Sequence, residues 1–187
     1  LLGSIFGTIL IQRDYLVLHG SALAKDDKAI LFLGDAGQGK STIAYSLLEQ
    51  GWKLLADDLI AIDQNNFVLP GIPRIKLWIE TLEKFNLDKN NFSRVRHNVD
   101  KYELNSSCLN IQTSKVKLHN IFILKKGSHK EIEGEIKVDN INNQKEKLLV
   151  VRNLSYRPRI IKGSKKEDTL FSSIARLVIK KKVNFLS

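Results

Sequence analysis

The chain has 187 residues, 43% of them apolar and 27% charged, and a formal net charge of +10. That length and balance suit one globular domain over residues 1–187 with a sizeable buried core. No apolar run reaches the roughly 20 residues of a membrane-spanning helix, nothing near Leu1 reads as a secretory signal, and the lone Cys108 excludes an internal disulfide, so a cytoplasmic location is expected.

The charge is uneven. Residues 1–111 carry 12 Lys/Arg against 13 Asp/Glu, a sum of −1, and residues 112–187 carry 18 against 7, a sum of +11. A basic half of this kind could face nucleic acid, an anionic membrane, an acidic peptide or a nucleotide. Its charges are scattered singly and no aromatic residues interleave them, so a solvated surface is the preferred reading and nucleic acid is disfavoured.

In chain order, Gly3–Gln12 has apolar residues at helical spacing. Tyr15–Leu18 and Ser21–Ala24 read as extended, and a polar turn at Asp26-Asp27-Lys28 leads into the apolar run Ala29–Leu33, a buried strand. Ser41–Gln50 reads as an amphipathic helix stopped by Gly51. Trp52–Ala56 is a strand ending in Asp57 and Asp58, Leu59–Asp63 continues extended, and Gln64-Asn65-Asn66 makes a turn before the rigid Pro70–Pro73 loop. This gives a core over about 15–80, followed by a variable basic part over about 100–187.

In that second part Leu77–Phe85 looks helical, and Asp88–Asp100 is polar, Asn-rich and expected to be mobile. Val116–Leu124 and Ile132–Val138 alternate as half-buried strands do. Lys145–Leu154 and Thr169–Lys182 look helical, the latter ending in three lysines that suit the negative end of its dipole. Trp52 and Trp78 are expected to pack, and His119 and His129 to be structural, since neither has the spacing of a metal ligand.

Gly34-Asp35-Ala36-Gly37-Gln38-Gly39-Lys40-Ser41 fits G-x-x-x-x-G-K-[ST] without a mismatch, between an apolar strand and an amphipathic helix. Glycines let successive N–H groups turn inward around a phosphate, and the helix start adds its positive end. Lys40 is expected to reach the β- and γ-phosphates of ATP, and Ser41 to complete a Mg²⁺ shell, with Thr42 closing the loop. Asp57 and Asp58 follow Lys40 by only 17 and 18 residues. A strand beside that of the loop would bring them to the sheet edge where ligands of α/β folds sit. Adjacent residues point apart, so the two carboxylates are expected to serve different tasks.

His19-Gly20-Ser21, the Gly34–Ser41 loop, and Gly51 followed by Leu54-Leu55-Ala56-Asp57-Asp58 together resemble the catalytic domain of bacterial HPr kinase/phosphorylase and its smaller relatives, over roughly His19 to Asp63. Pro73-Arg74-Ile75-Lys76-Leu77-Trp78 also resembles a "PRLxLW" segment of HPr-kinase-like proteins from peptide-modification clusters, lasso-peptide clusters among them. The resemblance implies an α/β, P-loop-containing fold related to phosphoenolpyruvate carboxykinase, with a central mixed sheet flanked by helices. It implies an ATP- and Mg²⁺-dependent kinase that phosphorylates serine in a small protein or precursor peptide, and a homo-oligomer. Asp57 would be the base, Asp58 and Ser41 would hold Mg²⁺, Lys40 would stabilise the transferring phosphoryl group, and His19 would partner the aspartates. The family's second signature, E-I-R-G-x-G, is absent after the aspartates, so the resemblance does not extend to reverse phosphorolysis.

Arg74 is a candidate phosphate or substrate contact, by its fork geometry. Arg94, Arg96, His97 and Lys101 could close over substrate, and Arg157 and Arg159 could reach the nucleotide or a neighbouring subunit. Three other readings stand beside the serine kinase: a kinase for a small metabolite alcohol, a non-catalytic nucleotide-sensing module, and a nucleic-acid-dependent NTPase.

Overall fold

The structure is a computed structural model that describes residues 2–125 and 136–187. Helix α1 (Leu2–Gln12) precedes β1 (Leu16–Leu18), β2 (Gly20–Lys25) and β3 (Lys28–Leu33). β3 is the expected buried strand, and its alternate residues feed two cores. Ala29, Leu31 and Leu33 join one and Ile30 and Phe32 the other, so no polar position interrupts the run. After the glycine-rich loop come α2 (Lys40–Leu48), β4 (Lys53–Asp57), β5 (Ile60–Ile62) and β6 (Phe67–Val68). Gly51 stops α2 in left-handed backbone as expected, at φ 82°.

These strands and β10 (Val116–Leu124) form a mixed sheet in the order β1-β5-β6-β10-β3-β2-β4. β12 (Lys182–Leu186) runs parallel to β10, and β11 (Val138–Asn140) pairs outside it. One long ribbon sets the shape. β1 and β2 are one strand interrupted at His19, and β4 and β5 are another interrupted at Asp58 and Leu59. The two run antiparallel, in one register across the interruption, with Leu18 opposite Ile60 and Ser21 opposite Asp57, and the register shifts only beyond Ala22. Past the interruption one half lies against β3, while the other leads through β5 and β6 to β10, so the sheet curls back on itself.

The expectation that the aspartates' strand lies directly beside the loop's strand is corrected here: β2 lies between β3 and β4. The turn at Asp26 and Asp27, both in left-handed backbone, folds β2 into a hairpin with β3 and fills that edge first. Because β2 is antiparallel to both, β4 still runs with β3 and ends at the same edge.

A second, three-stranded sheet packs beside this edge, in the order β7 (Arg74–Trp78), β9 (Val99–Asn105), β8 (Ser93–Arg96). One expectation fails here. The helix expected from Leu77 begins only at Ile79, as α3 (Ile79–Lys84), while the polar stretch 88–100 supplies β8 and the start of β9. The cause is that Arg74-Ile75-Lys76-Leu77-Trp78 alternates with period two, and β9 is the partner that makes it a strand.

Ile75, Leu77, Tyr102 and Leu104 pack with Ala44 and Tyr45 of α2 against Leu23, Phe32 and Leu54 on one face of the large sheet. On the other, α4 (Gln144–Asn153) and α6 (Glu167–Lys180) bury Val151, Ile174, Leu177 and Val178, with the short α5 (Pro158–Gly163) between them. Only the first of the three lysines ends α6, since Lys182 already belongs to β12. Trp52 packs on the core as expected, whereas Trp78 is 44% exposed. The strand expected at Ile132–Val138 lies largely outside the described residues, as does His129; Val138 begins β11. Among the described residues no helix is long and apolar enough to cross a membrane.

Gly71 fixes the small sheet to the large one. Its N–H donates to Leu55 O at 2.7 Å, and a Cβ placed there would lie 2.8 Å from Ala56 Cβ. Gly71→Val is therefore expected to destabilise the fold by about 1–3 kcal/mol, measured by chemical denaturation. An unchanged midpoint would show that the two sheets are not held by this contact.

Candidate active site

The glycine-rich loop joins the end of β3 to the start of α2. Gly37 and Gly39 both have φ 83°, a conformation that a Cβ resists, and Gly39 is the N-cap residue of α2. No side chain caps that helix, so its first N–H groups and its positive dipole end face the loop's concavity. Gln38 braces the turn, its Oε1 accepting from Asp35 N at 2.7 Å, and Asp35, Ala36 and Gly37 are exposed at the tip. Lys40 is 8% exposed, and its Nζ donates to Gly34 O at 2.9 Å and Asp35 O at 2.7 Å. Burial pushes its ammonium below the ordinary lysine value, against the opposing charges of Asp57, Asp58 and Asp35 and with the aid of Lys101.

Asp57 is the last residue of β4 and the meeting point of four segments. Its Oδ1 accepts from Ser21 Oγ of β2 at 2.7 Å and from Ser41 Oγ of α2 at 3.0 Å. Its Oδ2 accepts from Lys76 N of β7 at 3.1 Å. Burial raises its carboxyl above the ordinary range and the charge of Asp58 adds to this, while the three hydrogen bonds pull the other way.

Asp58 follows in left-handed backbone, φ 69°, which turns its carboxylate away from its neighbour's. It forms an ion pair with Lys76 Nζ and keeps 36% of its side chain exposed. Burial works against its ionisation, but the hydrogen bond and charge of Lys76, with Lys101 and His19 behind them, outweigh it and hold the carboxyl below its usual range. His19 Nδ1 lies 2.8 Å from the Asp58 carbonyl oxygen. A carbonyl only accepts, so Nδ1 carries the hydrogen of this bond.

The structure thus brings His19, Lys40, Ser41, Asp57 and Asp58 together. One pairing differs from expectation: Ser41 bonds Asp57, not Asp58, because the sheet register aims Asp57 at the loop and the left-handed turn aims Asp58 at β7. Two candidates are engaged elsewhere. Thr42 Oγ1 lies 3.0 Å from Thr81 Oγ1, tying α2 to α3, and Arg74 pairs with Glu103 at 2.8 Å. Arg94 pairs with Asp100, and Arg157 lies over the ring of Tyr156. Ser21 and Lys76 are site residues that the sequence did not single out. Ser21 stands two residues after His19, in the His19-Gly20-Ser21 segment, and Lys76 occupies the central position of an alternating segment; these were the available signals.

Among the described residues no three His, Cys, Asp or Glu side chains gather as a metal cage. The hydroxyl of Ser41 and the carboxylate of Asp57 are hard oxygen donors that fit Mg²⁺, an ion that needs few protein ligands when phosphates and waters complete its shell.

No family model matches the chain, and no curated protein does. Among solved structures, the chain is similar to the Hpr(Ser) kinase/phosphatase from Coxiella burnetii at 16% identity and a TM-score of 0.40, over 67% of this chain and 76% of that one. A likeness of this degree assigns neither an activity nor a residue here.

The two aspartates act on stability in opposite directions. Asp57 keeps a native proton that the unfolded chain has lost, so its contribution falls as pH rises from the ordinary 3.8 through the raised native value. The contribution of Asp58 is present above the ordinary range and is lost as pH falls below it. Without nucleotide or Mg²⁺, the thermal midpoint of Asp57→Asn should gain on the parent's as pH rises from 3.8 through the raised native value. A difference that stays constant with pH would contradict this account of Asp57.

Proposed function

We propose that this protein is an ATP-dependent kinase that transfers the γ-phosphoryl group to a serine hydroxyl of a small protein or precursor peptide. The observation that carries the reading is the Ser41–Asp57 hydrogen bond, which joins the glycine-rich loop to an aspartate whose neighbour is a second, accessible carboxylate. A loop that only bound phosphate would need neither.

Three parts of the chain then divide the task. The loop N–H groups and the start of α2 hold the phosphates, and Lys40 exchanges its two carbonyl contacts for the β- and γ-phosphates. Ser41 and Asp57 hold Mg²⁺, which when bound neutralises charge on the transferring group. Asp58 is the base, an exchange of roles with Asp57 that follows from where Ser41 points. The acceptor Oγ gives its proton to the Asp58 carboxylate as the Oγ–P bond forms and the bond from phosphorus to the leaving ADP oxygen breaks. Lys76 keeps Asp58 ionised before the step, and His19 fixes the backbone that presents it. Phosphoryl transfer asks mainly for position and charge stabilisation, so a weak base suffices.

Lys40→Ala is expected to abolish MgATP binding by titration calorimetry. Asp58→Asn should keep binding but slow transfer to serine by about 100-fold or more. Transfer by Asp58→Asn at the parent rate would remove Asp58 from the role of base, and intact binding by Lys40→Ala would sink the assignment of the loop.

A further inference from the structure

The small sheet buries Ile75, Leu77, Tyr102 and Leu104, and its other face adjoins the aspartates. On that face β7 presents Arg74, Lys76 and Trp78, and β9 presents Lys101 and Glu103, with Lys76 opposite Glu103 and Trp78 opposite Lys101. Most of these charges are matched: Arg74 by Glu103, and Lys76 by Asp58. Lys101 is not. Among the described residues it makes no ion pair, and its ammonium lies 5.5 Å from the ring centroid of Trp78. Trp78 itself is 44% exposed. The charge of Lys101 is felt at both Lys40 and Asp58, so this pair belongs to the surroundings of the site. Arg96, exposed and opposite Val99, places a further cation at the outer end of the same face.

We infer that Trp78 and Lys101 receive the acceptor, a serine-bearing polypeptide segment with a carboxylate side chain two residues from the serine. The inference rests on the kinase reading, and the spacing comes from the sheet. Trp78 lies two residues beyond Lys76, about 7 Å along β7, and Lys76 grips the carboxylate that takes the serine proton. An extended chain covers that distance in two residues and puts both side chains on one side. The exposed ring offers apolar contact to the segment between them, and the unmatched ammonium pairs with its carboxylate.

The test uses the full chain, labelled ATP and a positional library of serine peptides. The parent should favour Asp or Glu two residues from serine by about tenfold. Lys101→Gln should erase that preference, Lys101→Glu should turn it toward Lys or Arg, and Trp78→Ala should raise KM for the peptide. A parent that phosphorylates peptides without this preference, or keeps it in both Lys101 variants, overturns the inference and leaves the kinase reading standing. So does a Trp78→Ala variant whose KM rises for ATP and not for peptide, which would make the ring a platform for the nucleotide base. A parent that binds MgATP yet phosphorylates no peptide removes the kinase reading and this inference with it.

Discussion

Asp57 joins four separately built parts of the chain through one carboxylate. Ser21 and Ser41 share its Oδ1, and the backbone of Lys76 takes its Oδ2. Each donor comes from a different element, so the carboxylate stays in place only while β2, α2, β4 and β7 keep their mutual positions. The arrangement is costly, because burial and the charge of Asp58 both oppose the ionised form. Three hydrogen bonds offset part of that cost. A cation beside Ser41 would offset more, which is the physical reason to read the cluster as a site and not as a structural tie.

The interruption of the long ribbon is what makes this meeting possible. Had β1–β2 and β4–β5 continued without a break at His19 and Asp58, both aspartates would have stayed within the regular alternation of the sheet. The left-handed residue at Asp58 instead sends adjacent carboxylates to different partners, one to a hydroxyl and one to an ammonium. Two groups with the same intrinsic acidity are thereby pushed apart, one upward and one downward. Separation of that kind lets neighbouring carboxylates take different tasks.

How much of this could be read from the residues depended on distance along the chain. β3, the glycine-rich loop, α2 and its stop at Gly51 are written in consecutive residues, and spacing and turn chemistry sufficed for them. β7 was harder, because Trp78, Leu82 and Phe85 also fit a helical stripe; only the pairing of Leu77 with Tyr102 and of Ile75 with Leu104, far along the chain, decides for a strand. β8, with Ser93, Arg94 and Arg96, has almost no apolar signal of its own. β12 was hidden behind the lysines that close α6, and its partner Ile121 lies 62 residues before Val183. At the site the candidates came from motifs, but which aspartate meets Ser41 depends on sheet register, and the part played by Lys76 depends on a second sheet. Neither is a local property.

The most direct measurement is mass mapping after incubation of the protein with MgATP and serine peptides, including those encoded beside its gene. The account predicts one phosphoserine formed for each ADP released. Release of inorganic phosphate without any phosphoserine would contradict it, because the hydroxyl acceptor that gives Asp58 its role would then have no part in the reaction.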